Sequence, residues 1–93
     1  MVSLVPDESP LEAALARELA QRLLVRREAS GFTQEQVAER AHLSRNHYQL
    51  LESGLSDRKK KTPSNPRLST LVDLASALEC SVVDLVDGLT PVG

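Results

Sequence analysis

Leucines recur at positions 11, 15, 19 and 23, with Ala16 and Ala20 beside them. Residues four apart share one face of a helix, so this spacing predicts a helix with one apolar stripe. The run LEAALARELAQRLLVRREAS meets no breaker before Gly31. It predicts a first helix of about 20 residues, or roughly 30 Å. Ser9 suits its N-cap, Pro10 its first position, and Glu12 completes a Ser-x-x-Glu box. Gly31 can take the left-handed conformation that ends it. Two shorter runs follow. In the first, Val37, Ala38 and Ala41 keep helical spacing behind a Thr33/Gln36 capping box. In the second, Ser44 is the N-cap and Tyr48 and Leu51 mark the buried side. Helices of about nine residues do not persist alone. Separated by Ala41-His42-Leu43, they must dock at a sharp angle. A fourth helix is predicted with Asn65 as cap, Pro66 at its first position, and Leu68, Leu71, Val72, Ala75 and Leu78 on one face. Ser81 caps a short fifth helix that Gly88 stops. Residues 1–8 are expected to be a flexible N-terminus, with residues 9–93 a single domain.

The chain has 93 residues, enough for one domain, and 41% are apolar. Phe32 and Tyr48 are the only aromatics, so the core must be built from Leu, Val and Ala. There is no apolar run of about 18 residues, hence no expected membrane span. The first ten residues lack the pattern of a signal peptide, and one cysteine excludes an internal disulfide. Both point to a cytoplasmic location. Cys80 reads as a small core residue: with His42 and His47 it gives no metal-ligand spacing. No nucleophile–base pair or phosphate loop is visible, so no enzyme activity, cofactor or metal is expected.

The formal charge is −2, which argues against a nucleic-acid binder until its distribution is examined. Residues 1–20 hold one basic and four acidic groups, and residues 63–93 the same, so each end carries −3. Residues 21–62 hold nine basic and five acidic groups, a net +4. The positive charge is therefore concentrated on the segment with the two short helices and the loop after them. A binder of nucleic acid needs a basic face, not a basic total.

Gln34, Ala38, Ser44 and Glu52-Ser53-Gly54, at these spacings, resemble the Xre, Cro and phage-repressor family of helix-turn-helix DNA-binding domains. The general pattern is Thr-Gln-x-x-Leu-Ala, then Ser, then Ile-x-x-x-Glu-x-Gly, and the similarity runs from about Leu19 through Leu85. The resemblance implies an all-α, five-helix, lambda-repressor-like fold with residues 33–54 as the reading unit. The first helix begins about two turns earlier than is usual in the family. That extra length either packs on the chain's own C-terminal segment or serves a dimer contact. His42 stands where the pattern has Gly, and so is expected to be a strained turn residue at positive φ.

The resemblance also implies roles for individual residues. Arg27 and Glu52 occupy the positions of an ion pair joining the first helix to the recognition helix. Gln34 occupies that of a residue holding a DNA phosphate at a helix N-terminus. On the recognition helix, Asn46, Gln49 and Leu50 lie opposite Tyr48, with Arg45 on the N-terminal flank. Arg45 suits guanine O6 and N7, Asn46 or Gln49 suits adenine, and Leu50 can touch a thymine methyl. Ser44 and His47 are candidate phosphate contacts. Arg22 and Arg26 read as solvated or near phosphates. Residues 55–66 form an inserted basic loop whose Arg58, Lys59, Lys60 and Lys61 could contact phosphates without reading sequence.

These features predict a sequence-specific double-stranded DNA-binding transcription regulator, in the manner of a repressor, that dimerises at least on DNA and has no membrane partner. An antitoxin with a toxin partner that represses its own operon, and an interaction module with no DNA role, are the competing expectations.

Overall fold

The computed structural model describes residues 10–89. The Ser9 cap, the expected N-terminal segment 1–8 and the tail beyond Leu89 lie outside the described residues. Among the described residues there are five helices: α1 (Pro10–Ser30), α2 (Gln34–Arg40), α3 (Arg45–Glu52), α4 (Leu68–Ala77) and α5 (Val82–Val86). Between α3 and α4 the expected loop carries two short strands, β1 (Leu55–Asp57) and β2 (Thr62–Pro63). The 21-residue α1 backs the molecule, and α2 and α3 pack across each other in front of it. None of the described helices is long and apolar enough to cross a membrane.

The core is aliphatic apart from one phenol ring. Leu19 and Leu23 of α1, Val37 and Ala38 of α2, Tyr48 and Leu51 of α3, Leu74, Ala75 and Leu78 of the fourth-helix segment, and Leu85 of α5 form one buried cluster. The apolar stripe of α1 thins toward its start: Leu15 is half-buried and Leu11 exposed. In α4 the buried side is set by Leu74, Ala75 and Ala77, whereas Leu68 and Val72, assigned to it from the sequence, are 71% and 50% exposed.

Three helix ends share one construction. At the end of α1, Gly31 N–H donates to Glu28 O and Phe32 N–H to Arg27 O. At α2, His42 N–H donates to Glu39 O and Leu43 N–H to Ala38 O. At α4, Glu79 N–H donates to Ser76 O and Cys80 N–H to Ala75 O. Each is the paired-bond Schellman turn, which needs one left-handed residue. Those residues are Gly31, His42 and Glu79, at φ +77°, +62° and +58°. The residue after each, Phe32, Leu43 and Cys80, packs against the core. This gives Cys80 its place, and burial pushes its thiol pKa up.

The expected capping box of Thr33 with Gln36 is formed, and the expected Ser81 cap proves to be a second box, with Asp84. The start of α4 differs from expectation. Arg67 is its N-cap, without a side-chain bond, so the helix begins two residues after Pro66. Ser64 N–H still donates to Gly54 O at 3.0 Å. The chain is therefore tied to the strand pair up to that point and turns into the helix only afterwards. Gly54 sits where α1 passes closely: a Cβ there would lie 3.4 Å from the Ala16 carbonyl oxygen.

Arg22 and Arg26, read from the sequence as solvated or near phosphates, instead fasten α1 to α5. Arg22 donates to the carbonyls of Leu85 and Asp87, at the C-terminal end of α5, and pairs with Glu18. Arg26 lies 3.6 Å from Asp84. Arg40 does the same for α4. It donates to Ala77 O at 2.8 Å, reaches Glu79, and covers the Phe32 ring at 4.6 Å. An arginine near a helix C-terminus satisfies carbonyls that have no partner within the helix.

Candidate nucleic-acid interface

The orientation of α3 is set by a carboxylate at its last residue. Glu52 Oε2 accepts from Arg27 Nε at 2.6 Å and from the Tyr48 hydroxyl at 2.6 Å. Its Oε1 accepts from Arg27 Nη2 at 3.2 Å and from Gln34 Nε2 at 2.9 Å. The remaining guanidinium nitrogen, Arg27 Nη1, donates to Phe32 O at 3.0 Å. The side chains of Arg27 and Glu52 are only 16% and 5% exposed, so the forked pair acts where water screens little. Burial pushes the Glu52 carboxyl up, but hydrogen bonds from Arg27, Tyr48 and Gln34 outweigh it and hold it below the ordinary carboxylate range. Burial, and then the bond to Glu52, pushes the Tyr48 phenol far above its ordinary value. The hydroxyl is therefore a fixed donor pointing inward. In the fold it is engaged within the protein, one turn before its acceptor on the same helix.

The network continues to the surface. Gln34 Oε1 accepts from Gln49 Nε2 at 3.2 Å. Gln34, placed at a phosphate by analogy, and Gln49, placed at a base edge, thus hold each other and are both half-buried. Arg45, Asn46 and His47 are exposed on the first turn of α3. Ser44 caps that turn by accepting from His47 N–H at 3.0 Å. Leu50 is half-buried, because the strand pair packs along the C-terminal half of α3. Leu50 and Leu55 line one small cavity there.

The basic segment is a built hairpin. Leu55 pairs with Pro63 and Asp57 with Thr62, antiparallel, with an irregularity between them. Asp57 organises the turn. Its Oδ1 accepts from Lys59 N–H and Lys60 N–H at 2.8 and 2.9 Å, and its carbonyl accepts from Lys61 N–H at 2.8 Å. The backbone donors, Lys60 foremost, hold the Asp57 carboxyl below its ordinary range. Lys61 supplies the left-handed turn residue at φ +57°. The Arg58 guanidinium reaches back to α3, where Nη1 donates to Asn46 Oδ1 at 2.8 Å. The side chains of Arg45, Lys59, Lys60 and Lys61 make no hydrogen bond or salt bridge with the described residues.

Sequence reasoning missed the hairpin and the Arg58–Asn46 bond. The signal was present in Asp57, a residue type that accepts from amides two and three positions on. It was masked by a cation run that reads as solvated.

The family model for a helix-turn-helix, HTH_3, matches residues 23–85. The chain belongs to this family. No curated protein matches the sequence significantly. Among solved structures, this HTH_3 chain is similar to the restriction-modification controller protein C.AhdI from Aeromonas hydrophila. The identity is 27% over 75% of this chain and 94% of that one, with a TM-score of 0.63. It is similar to the biofilm master regulator SinR, solved in complex with DNA, at 25% identity over 74% and 98% with a TM-score of 0.63. It also resembles the clp gene regulator ClgR from Corynebacterium glutamicum, at 25% identity over 77% and 83% with a TM-score of 0.62.

Proposed function

We propose that this HTH_3 protein is a sequence-specific double-stranded DNA-binding transcription regulator that acts as a repressor. The observation that carries this reading is the exposed first turn of α3. Arg45, Asn46 and His47 are exposed, while Tyr48 and Glu52 clamp the opposite side of the helix to α1 and α2. A helix held in that way presents its N-terminal end to the major groove. The likeness to SinR, which was solved with DNA, supports it.

In this reading Arg45 and Asn46 touch base edges. Gln49 contributes through the amide groups left after its bond to Gln34, and Leu50 only at its exposed edge. Ser44 and His47 face a phosphate beside the α3 N-terminus. Gln34 contributes its backbone N–H at the start of α2, since its side chain is held by Glu52. Lys59, Lys60 and Lys61 follow the backbone of the duplex. The protein acts as a homodimer on half-sites about 34 Å apart, and the exposed Leu68 and Val72, one turn apart on α4, supply an apolar contact for the second copy. The regulator works in the cytoplasm and needs no cofactor.

Selection of bound duplexes from a random-sequence pool, followed by competition with single-base variants, tests this. Arg45→Ala is expected to relax preference at one base pair, at a cost of about 1–3 kcal/mol. Replacing Lys59, Lys60 and Lys61 together by Ala should weaken all duplexes alike. The slope of log affinity against log salt should fall by about 0.9 for each phosphate no longer neutralised. If neither change alters binding, α3 and the hairpin do not meet DNA. Sedimentation with and without the selected duplex counts the copies bound.

A further inference from the structure

The sequence presents Arg58 as one of four equivalent cations in a loop. The structure separates it from the other three. Its Nη1 lies 2.8 Å from Asn46 Oδ1, across twelve residues of chain. The side chains of Lys59, Lys60 and Lys61 have no such partner among the described residues. Arg58 also stands on a stiff support. The Asp57 carboxylate holds two amides of the turn, the Asp57 carbonyl holds a third, and Ser56 and Thr62 join their hydroxyls across the strands. Leu55 fixes the base of the hairpin beside Leu50.

We propose that Arg58 is a specificity-determining residue that acts through Asn46. The inference rests on the reading of α3 as the base-reading helix. A free asparagine offers both an acceptor and two donors, and this pair of functions matches adenine N6 and N7. Here the acceptor oxygen is already bonded to a cation. The guanidinium takes one lone pair of Oδ1 and draws electron density from the other, which makes the oxygen a weaker acceptor. What Asn46 has wholly free to present is its Nδ2 donors, beside the unused N–H groups of Arg58. A surface made of donors matches acceptor edges, above all guanine O6 and N7, and disfavours the adenine N6 amino group. The hairpin thus changes what an asparagine reads. Arg58 is a positioning residue for Asn46 in addition to any contact of its own with the duplex.

The test uses the full chain and duplexes selected from a random-sequence pool, each then varied one base pair at a time. Wild type, Asn46→Ala, Arg58→Ala, Arg58→Lys and the Asn46→Ala/Arg58→Ala double variant are compared, with thermal unfolding to verify that each is folded. Arg58→Ala is expected to lose discrimination of about tenfold at the same base pair that Asn46→Ala affects, and to admit adenine there. The double variant should lose no more at that base pair than Asn46→Ala does alone. Arg58→Lys keeps the charge but not the planar fork, so it should retain the salt slope and still lose the base preference. A uniform loss over all duplexes with unchanged preference would make Arg58 a plain phosphate contact and overturn the inference, leaving the DNA reading intact. No enrichment of any duplex by the wild type would overturn the reading of α3, and the inference with it.

Discussion

Residues 21–62 carry two populations of cations that the sequence does not distinguish. The arginines of the segment's α1 and α2 portions, at 22, 26, 27 and 40, are spent within the fold, on carboxylates or on carbonyls at helix C-termini. Arg45 and the hairpin cations 58–61 are exposed, one of them bonded to Asn46. The first population holds four charges and the second five, and the local net charge of the segment counts both. Only the second is available to a polyanion. A basic stretch is therefore an upper bound on a basic surface, because arginine is also the side chain best suited to closing helix ends.

The sharpest way to break this comparison is at Glu52. Glu52→Gln leaves Arg27 without its counter-charge in a largely buried place and should cost about 3 kcal/mol in urea unfolding at neutral pH. The folded-state pKa of Glu52 lies below its unfolded value. Its contribution is then fully present above the unfolded range, near pH ~4.3. It disappears as pH falls through the folded value. The stability gap between wild type and Glu52→Gln should accordingly close on acidification. A gap unchanged down to about pH 2 would mean that the carboxylate charge is not what matters.

A smaller effect contrasts the two populations directly. Arg40→Ala removes the bond to Ala77 O and the cover over Phe32, and should cost about 1–2 kcal/mol. Lys59→Ala, on the hairpin turn, should stay within about 0.5 kcal/mol of wild type. Melting curves at matched ionic strength suffice, and equal losses would erase the distinction. The smallest change is a gain. His42 holds a left-handed conformation that glycine takes without strain, so His42→Gly should raise stability by about 0.5–1 kcal/mol with duplex binding unaltered.

What the sequence disclosed was local. The Thr33/Gln36 box, the Ser81 cap and the inward faces of Tyr48 and Leu51 depend on residues within one or two turns of each other, and a pattern can register them. The Arg27–Glu52 position came through resemblance. The rest depended on where distant segments meet. Arg22 and Arg26 find α5 more than fifty residues away, and Asn46 finds Arg58 only once the hairpin has formed. Nothing in the repeat of apolar residues on α4 tells Leu68 and Val72 from Leu74, because the neighbours that cover one pair and leave the other bare come from elsewhere. Likewise Gln34 had a surface role by analogy, while the third and fourth donors to Glu52 were not visible until the carboxylate had a place.

The three elbows that end α1, α2 and α4 have a consequence for how such a chain can change over time. Adding one residue within any of them would break the paired bonds of the turn and carry Phe32, Leu43 or Cys80 off its seat. Lengthening the stretch at Arg58–Lys61 displaces no helix at all. New binding preferences can therefore arise by growth and trimming at that tip, while every helix keeps its register.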